Sequence, residues 1–242
     1  TKALEHADVV VASIFVNPTQ FNEASDLENY PRTIEADLVK LEASGCHVAF
    51  MPDVEEIYPE GHKTKTIEYE GLDLVMEGAE RPGHFDGVVE VVARLFDIIQ
   101  PDVACFGEKD FQQLAIIRKL VDEHDYAIDI IPCPIVREPH GLAMSSRNER
   151  LTEEQRQRAA ILYETLQEMK NLVDIMNPDE VEQWGRDALN SSEYAELEYI
   201  QVADSQTLKT IFRWHECDSA RAFVVARFGE VRLIDNLEIF RA

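Results

Sequence analysis

A mostly parallel α/β domain followed by a smaller α+β domain is the fold that three features of this 242-residue sequence predict. Apolar runs of strand length alternate with amphipathic helical patterns over the first half of the chain. Two helices with clear start signals come next, and three strand patterns in succession close the sequence. The change of grammar divides the chain into residues 1–135, which read as Rossmann-like, and residues 136–242.

The elements of the first part follow in order. Val9 to Val16 is almost continuously apolar and ends in Asn-Pro, the pattern of a strand buried on both faces. A helix is expected from about Thr33 to Ser44, with Ile34, Leu38 and Leu41 inward and Gly45 at its stop. Val48-Ala49-Phe50 is the next strand, closed by Pro52. Residues 53–81 are less regular, with a peripheral strand placed around Lys65 to Tyr69. From Gly87 to Gln100, Val88, Val91, Val92, Leu95, Phe96 and Ile99 repeat at helical spacing and lead into Val103-Ala104-Cys105-Phe106, a core strand. Phe111, Leu114, Ile117 and Val121 mark the helix behind it, and Ile128 to Pro134 the strand after that. Strand, helix and strand recurring in this way imply parallel pairing with right-handed crossovers.

The second part opens on a capping box, Thr152-Glu153-Glu154-Gln155, ahead of a helix whose inner stripe is Leu162, Leu166, Met169 and Val173. Asn177-Pro178 starts another helix, with Val181, Trp184 and Leu189 inward. Leu197 to Val202, Ala222 to Phe228 and Val231 to Ile234 read as strands, the last two joined by a tight Gly229-Glu230 turn.

Forty-seven acidic against 23 basic residues give a formal charge of −24, which disfavours partners held through nucleic-acid phosphates or anionic lipid. The four cysteines, Cys46, Cys105, Cys133 and Cys217, are widely spaced; they read as reduced core residues of a cytoplasmic protein and lack the close pairs of a zinc site. No apolar stretch is long enough to span a bilayer, and no signal peptide or internal repeat is visible.

Chemistry concentrates at Phe106-Gly107-Glu108-Lys109-Asp110-Phe111-Gln112-Gln113. A turn there joins a strand's carboxyl end to a helix's amino terminus, where backbone N–H groups and the helix dipole favour an anion, and Lys109 adds a full positive charge. Taken alone, Lys109 reads better as a solvated lysine at a helix start, and Phe106 and Phe111 as core. Three more strings accompany it: Phe15-Val16-Asn17-Pro18-Thr19-Gln20-Phe21, Arg81-Pro82-Gly83-His84-Phe85 and Met144-Ser145-Ser146-Arg147-Asn148.

In this order and spacing the four strings resemble the pantoate–β-alanine ligase (pantothenate synthetase) family, and the likeness runs on to Leu233-Ile234-Asp235-Asn236. The resemblance implies ATP-dependent condensation of pantoate with β-alanine through a pantoyl-adenylate, with release of AMP and pyrophosphate. ATP is then a cosubstrate, Mg²⁺ the expected helper, and a homodimer the expected assembly. It assigns Gly107, Glu108, Lys109 and Asp110 to ATP, with Lys109 on phosphate and Asp110 accepting from ribose hydroxyls. Met144, Ser145, Ser146 and Arg147 follow as the phosphate loop, and Val136 as a backbone contact to adenine. Lys109, Ser145, Ser146 and Arg147 are the catalytic candidates. Gln20 and Gln113 are the implied pantoate ligands, and Gln20 also meets β-alanine; Asn17 and Arg81 are further candidates, whereas His84 reads as structural.

The sequence departs from the family at its start. Family members carry a further strand and an H-x-G-H turn that holds ATP and supplies a catalytic histidine. None of the seven histidines here forms that motif, and Thr1 to His6 read as the end of the helix that follows it. The motif is expected upstream of Thr1, the alternative being a catalytically inactive nucleotide- or pantoate-binding fragment. A class I aminoacyl-tRNA synthetase-like nucleotidyltransferase is the other enzyme reading, against which the charge of −24 counts.

Overall fold

The computed structural model describes residues 2–21, 27–28, 30 and 32–242. It divides into two compact units: Thr1–Gly107 with Gln112–Cys133, and Glu108–Phe111 with Pro134–Ala242. The Gly107–Gln113 motif therefore changes unit twice within seven residues.

In the first unit, strand β1 (Val11–Ser13) pairs in parallel with β2 (Val48–Phe50), and β3 (Val103–Gly107) pairs in parallel with β4 (Asp129–Cys133). These are two separate two-stranded sheets, parallel as the alternating grammar requires. Between β1 and β2 runs helix α1 (Ile34–Ala43), ended by Ser44 and by Gly45 at φ +79°. Two short helices, α2 (Val54–Ile57) and α3 (Met76–Glu80), precede α4 (His84–Ile99), which stops where Gln100 turns left-handed. Helix α5 (Phe111–Glu123) joins β3 to β4. Val88, Val92 and Phe96 of α4 pack with Ile116, Ile117 and Leu120 of α5 in the unit's core, since both helices carry apolar residues at three- and four-residue spacing.

Four expectations fail here. Val9 to Val16 is not a long strand buried on both faces: only Val11–Ser13 is extended, Val9 is 65% exposed, and nothing among the described residues covers that side. Ile34 of α1 faces outward, and only Leu38 and Leu41 are half-buried. Residues 65–69 form no strand; side-chain bonds from other elements hold them instead, Lys65 to Asp97 at 2.7 Å and the Glu68 N–H to Glu123 at 3.1 Å. The cysteines are free thiols, but none is buried, because Cys105 falls on the exposed side of β3 and the others are half-buried. Apolar neighbours in sequence do not say which way a strand residue points.

The second unit is an antiparallel sheet in the order β5 (Glu196–Asp204), β6 (Ser219–Phe228), β7 (Val231–Arg241), with helices packed on it. Gly229 at φ +60° makes the two-residue turn between β6 and β7. The Thr152 capping box forms, with the Gln155 N–H donating to Thr152 Oγ1 at 3.2 Å and the Thr152 N–H to Gln155 Oε1 at 2.9 Å. The single helix expected behind it is broken into α6 (Glu153–Arg158) and α7 (Ile161–Leu172) at the buried Ala159-Ala160 pair. Asn177 caps α8 (Pro178–Asn190) reciprocally with Glu180. Leu162, Leu166 and Met169 meet Val181 and Leu189 over Ile200, Val202 and Val224 of the sheet, while Trp184 is half-buried at the rim.

Candidate active site

The residues singled out from sequence lie on two turns, one loop and the start of α5. In the first unit a 3-10 turn, Pro18–Gln20, follows β1, and the Asn17 side chain caps it. Asn17 is 2% exposed, and its amide is spent inside the protein. Its Oδ1 accepts from the Thr19 N–H at 3.3 Å and the Tyr58 hydroxyl at 2.8 Å, while Nδ2 donates to Gly87 O at 3.0 Å and Gln20 Oε1 at 3.3 Å. Asn17 therefore orients Gln20, whose Nε2 has no partner among the described residues.

The backbone of the same turn is clamped from α4. Nδ1–H of His84 donates to Gln20 O at 2.8 Å, and Arg81 Nη2 donates to the same oxygen at 3.3 Å. A carbonyl accepts only, so the proton sits on Nδ1, and Nε2 turns its lone pair toward Arg81 Nη1 at 3.3 Å. A Cβ on Gly87 would lie 2.6 Å from Thr19 O, so α4 meets the turn backbone to backbone and admits only glycine there.

The adjacent amides of α5 divide in the same way. Gln112 is buried, accepting from the Glu77 N–H at 3.0 Å and donating to Leu72 O and Val75 O at 2.5 and 2.9 Å. Gln113, one residue and 100° further round the helix, is half-buried and has no side-chain partner among the described residues.

In the second unit the 3-10 turn Glu108–Asp110 is held by β7. Asn236, 2% exposed, donates from Nδ2 to Glu108 O at 3.0 Å and to Lys109 O at 2.8 Å. Lys109 is half-buried and its side chain makes no hydrogen bond or ion pair among the described residues, although the chain carries a surplus of 24 negative charges. Asp110 is exposed.

The serine loop is fixed by a hairpin in which Arg137 bridges Ala143 and the Met144 N–H donates to Val136 O at 2.9 Å. Ser145 caps the 3-10 turn Ser146–Arg150, its Oγ accepting from the Arg147 N–H at 3.3 Å. Asn148 anchors the loop through Nδ2, which donates to Ala143 O at 3.1 Å and Glu138 Oε1 at 2.9 Å. Glu138 also receives the Arg156 fork at 2.7 and 2.9 Å, and these bonds hold its carboxyl below the usual carboxylate range. Val136 and Met144 are 66% and 54% exposed, an apolar rim beside the serines.

His84 is structural, as the sequence reading had it, but its contact and that of Arg81 with the Gln20 carbonyl were not foreseen, and the holding roles of Asn236 and Arg137 in the second unit were missed. The Leu233–Asn236 string enters only as part of a likeness, and nothing in its spacing announces a contact with Lys109.

A phosphate-type turn after a parallel strand, together with a serine–arginine loop on an antiparallel unit, marks an α/β enzyme that handles a nucleotide. The family model described as Pantoate-beta-alanine ligase matches residues 1–238. The pantothenate synthetase of Porphyromonas gingivalis (strain ATCC 33277) is 46% identical over 98% of this chain and 84% of its own length. That of Vibrio parahaemolyticus is 50% identical over 97% of this chain and 78% of its own. Among solved structures, pantothenate synthetase from Thermus thermophilus superposes with a TM-score of 0.93 at 41% identity, over 99% of this chain and 86% of that one. Pantoate-beta-alanine ligase from Francisella tularensis, complexed with beta-gamma ATP and beta-alanine, gives 0.73 at 34% identity, over 98% and 82%. The chain belongs to the pantoate–β-alanine ligase family. Membership makes it an enzyme that joins pantoate to β-alanine in the formation of pantothenate.

Proposed function

We propose that the ligation runs in two steps on ATP. The pantoate carboxylate attacks the α-phosphorus, pyrophosphate leaves, and the amine of β-alanine then attacks the acyl carbon of pantoyl-adenylate and expels AMP. Both steps move negative charge on and off phosphate oxygens, so the protein's part is positioning and neutralisation. The observation that carries this reading is Lys109: a cation left without a partner among the described residues of an acidic chain, on a turn whose backbone is clamped. Lys109 and Arg147 neutralise the phosphates, Ser145 and Ser146 donate hydroxyl bonds to them, and the backbone of Gly107 to Asp110 lines the nucleotide, with Asp110 accepting from ribose. Val136 and Met144 supply an apolar rim for the adenine. Gln20 and Gln113 hold pantoate through amides that the fold leaves unspent, and Gln20 then meets β-alanine.

Mg²⁺ would enter with ATP, held mainly by the nucleotide's own phosphates and waters. When bound, it would help to spread the charge of the leaving pyrophosphate that Lys109 and Arg147 neutralise. A homodimer is supported by the exposed Val9, Val11 and Val48 around the β1–β2 pair, and a cytoplasmic setting by four free thiols. The ligase match over residues 1–238 weighs against the tRNA synthetase-like reading, as does the acidity. Pantoate-dependent pyrophosphate release from ATP and Mg²⁺, followed by AMP release on adding β-alanine, tests the scheme. Pyrophosphate release that does not depend on pantoate sinks it.

A further inference from the structure

Asn236 lies 127 residues from Lys109 in sequence, yet its side-chain amide donates to two consecutive carbonyls of the Lys109 turn. A buried amide has two donors and one acceptor oxygen, and here all are used. Nδ2 serves Glu108 O and Lys109 O, while Oδ1 accepts from Arg221 Nη1 at 2.6 Å. That last bond fixes which end of the amide faces the turn, because a guanidinium only donates. Arg221 is in turn held in place: it is 7% exposed, its guanidinium lies 4.0 Å over the Phe111 ring, and Nη2 is 3.9 Å from the Glu108 carboxylate. Phe111 and Glu108 belong to the same short stretch as Lys109, so Arg221 and Asn236 together grip it on both sides.

The neighbouring residue ties the same strand to the serine loop. Asp235, 4% exposed, takes both Nη atoms of Arg137 at 2.6 and 2.9 Å, and the Arg137 guanidinium lies 3.7 Å over the Tyr163 ring. Arg137 Nη1 also donates to Gly141 O in the hairpin that carries Met144 to Asn148. The Asn236 N–H closes onto Asp235 Oδ1 at 2.8 Å. Two consecutive residues of β7 thus reach two separate segments, one bearing Lys109 and the other the serines.

From this geometry we infer that Asn236 is a positioning residue for ATP: it acts through Lys109, setting the direction of that side chain by pinning its carbonyl, and touches no substrate itself. The inference rests on the reading of Lys109 as the phosphate-binding cation. A turn pinned at the carbonyls before and after the Lys109 amide fixes the backbone from which the lysine side chain projects, so that binding energy is spent on the ligand rather than on ordering the loop.

The test is a double-mutant cycle read in the affinity for ATP with Mg²⁺ by titration calorimetry on the full chain, with Lys109→Ala, Asn236→Asp and the double variant. Asn236→Asp keeps the volume and the bond from Arg221 but replaces the donating NH2 group with one oxygen; Asn236→Ala serves as the second variant. Lys109→Ala is expected to weaken ATP by about 10- to 100-fold, the scale of a hydrogen bond to a charged group. Asn236→Asp is expected to weaken it several-fold, leave pantoate affinity unchanged, and cost almost nothing further once Lys109 is alanine. Losses that multiply in the double variant, an unchanged ATP affinity in both Asn236 variants, or an equal loss of pantoate affinity overturns the inference. No effect of Lys109→Ala identifies the phosphate reading itself as the failure, and the inference falls with it.

Discussion

The Gln20 turn and the Lys109 turn share a plan and differ in the chemistry of the clamp. Each is a 3-10 turn whose carbonyl oxygens are held from far along the chain while the named side chain is left with spare bonding capacity. At Gln20 the holder is a histidine–arginine pair, which places positive charge beside the amide proposed to hold pantoate. At Lys109 the carbonyls are held by a neutral amide, and the Arg221 guanidinium that orients this amide also faces the Glu108 carboxylate of the turn at 3.9 Å. A turn that already carries a cation needs rigidity, whereas a turn that carries an amide gains from charge as well. On the proposed reading, the Gln20 turn would draw on charge in its clamp and the Lys109 turn on charge in its side chain.

Removing the lysine side chain itself is the most severe intervention. Lys109→Ala should slow pantoate-dependent pyrophosphate release about 10²- to 10³-fold, the scale of losing one oriented electrostatic contact, with little change in melting temperature. A melting loss that accounts for the drop would make the lysine structural.

The Gly87→Ala variant attacks the other turn through its packing. With Thr19 O 2.6 Å from the new methyl, stability should fall by about 1–3 kcal/mol. Pantoate binding should weaken and ATP binding stay near its original value. Equal weakening of both in titrations would show that the two turns are not separately built.

The adjacent amides of α5 separate folding from binding within one helical step. Gln113→Ala should cost pantoate affinity about tenfold and leave unfolding unchanged. Gln112→Ala should do the reverse, costing about 1–3 kcal/mol because Leu72 O, Val75 O and the Glu77 N–H lose their partner. Denaturant curves and pantoate titrations on the pair decide whether one position is for folding and the other for substrate.

The response to pH is the weakest of these effects. Arg156 and Asn148 hold the Glu138 carboxyl below its ordinary range, so this contribution is complete above the unfolded value of about 4.3. It is lost as pH falls through the lower folded value. Arg156 is 38% exposed on its side chain, and solvent screening keeps the effect within about 1 kcal/mol. Glu138→Gln should flatten the acid limb of the melting profile; an unchanged limb would mean that the serine loop is held without the ion pair.

Legibility in the sequence followed the range of the forces involved. The Thr152 and Asn177 boxes, the Gly229 turn and the apolar stripes of α4 and α7 were readable because each is decided within a few residues. The break at Ala159-Ala160 and the outward face of β1 were not, since packing across the unit sets them. At the site, Lys109, Gln20 and the serines were visible as motifs, but the division of labour between Gln112 and Gln113 depends on helical rotation against Leu72 and Val75. His84 and Asn236 were invisible as clamps, because a contact between residues 64 or 127 positions apart leaves no local pattern.

That distance also sets an order of events during synthesis. A ribosome delivers residue 109 long before residue 236, so the growing chain carries the lysine turn without its clamp and the serine hairpin without Asp235. The bonds from Asp235 and Asn236 can form only once β7 has been made and has paired with β6. A chain that has emerged as far as residue 133 carries Lys109 without the Asn236 amide that pins its turn.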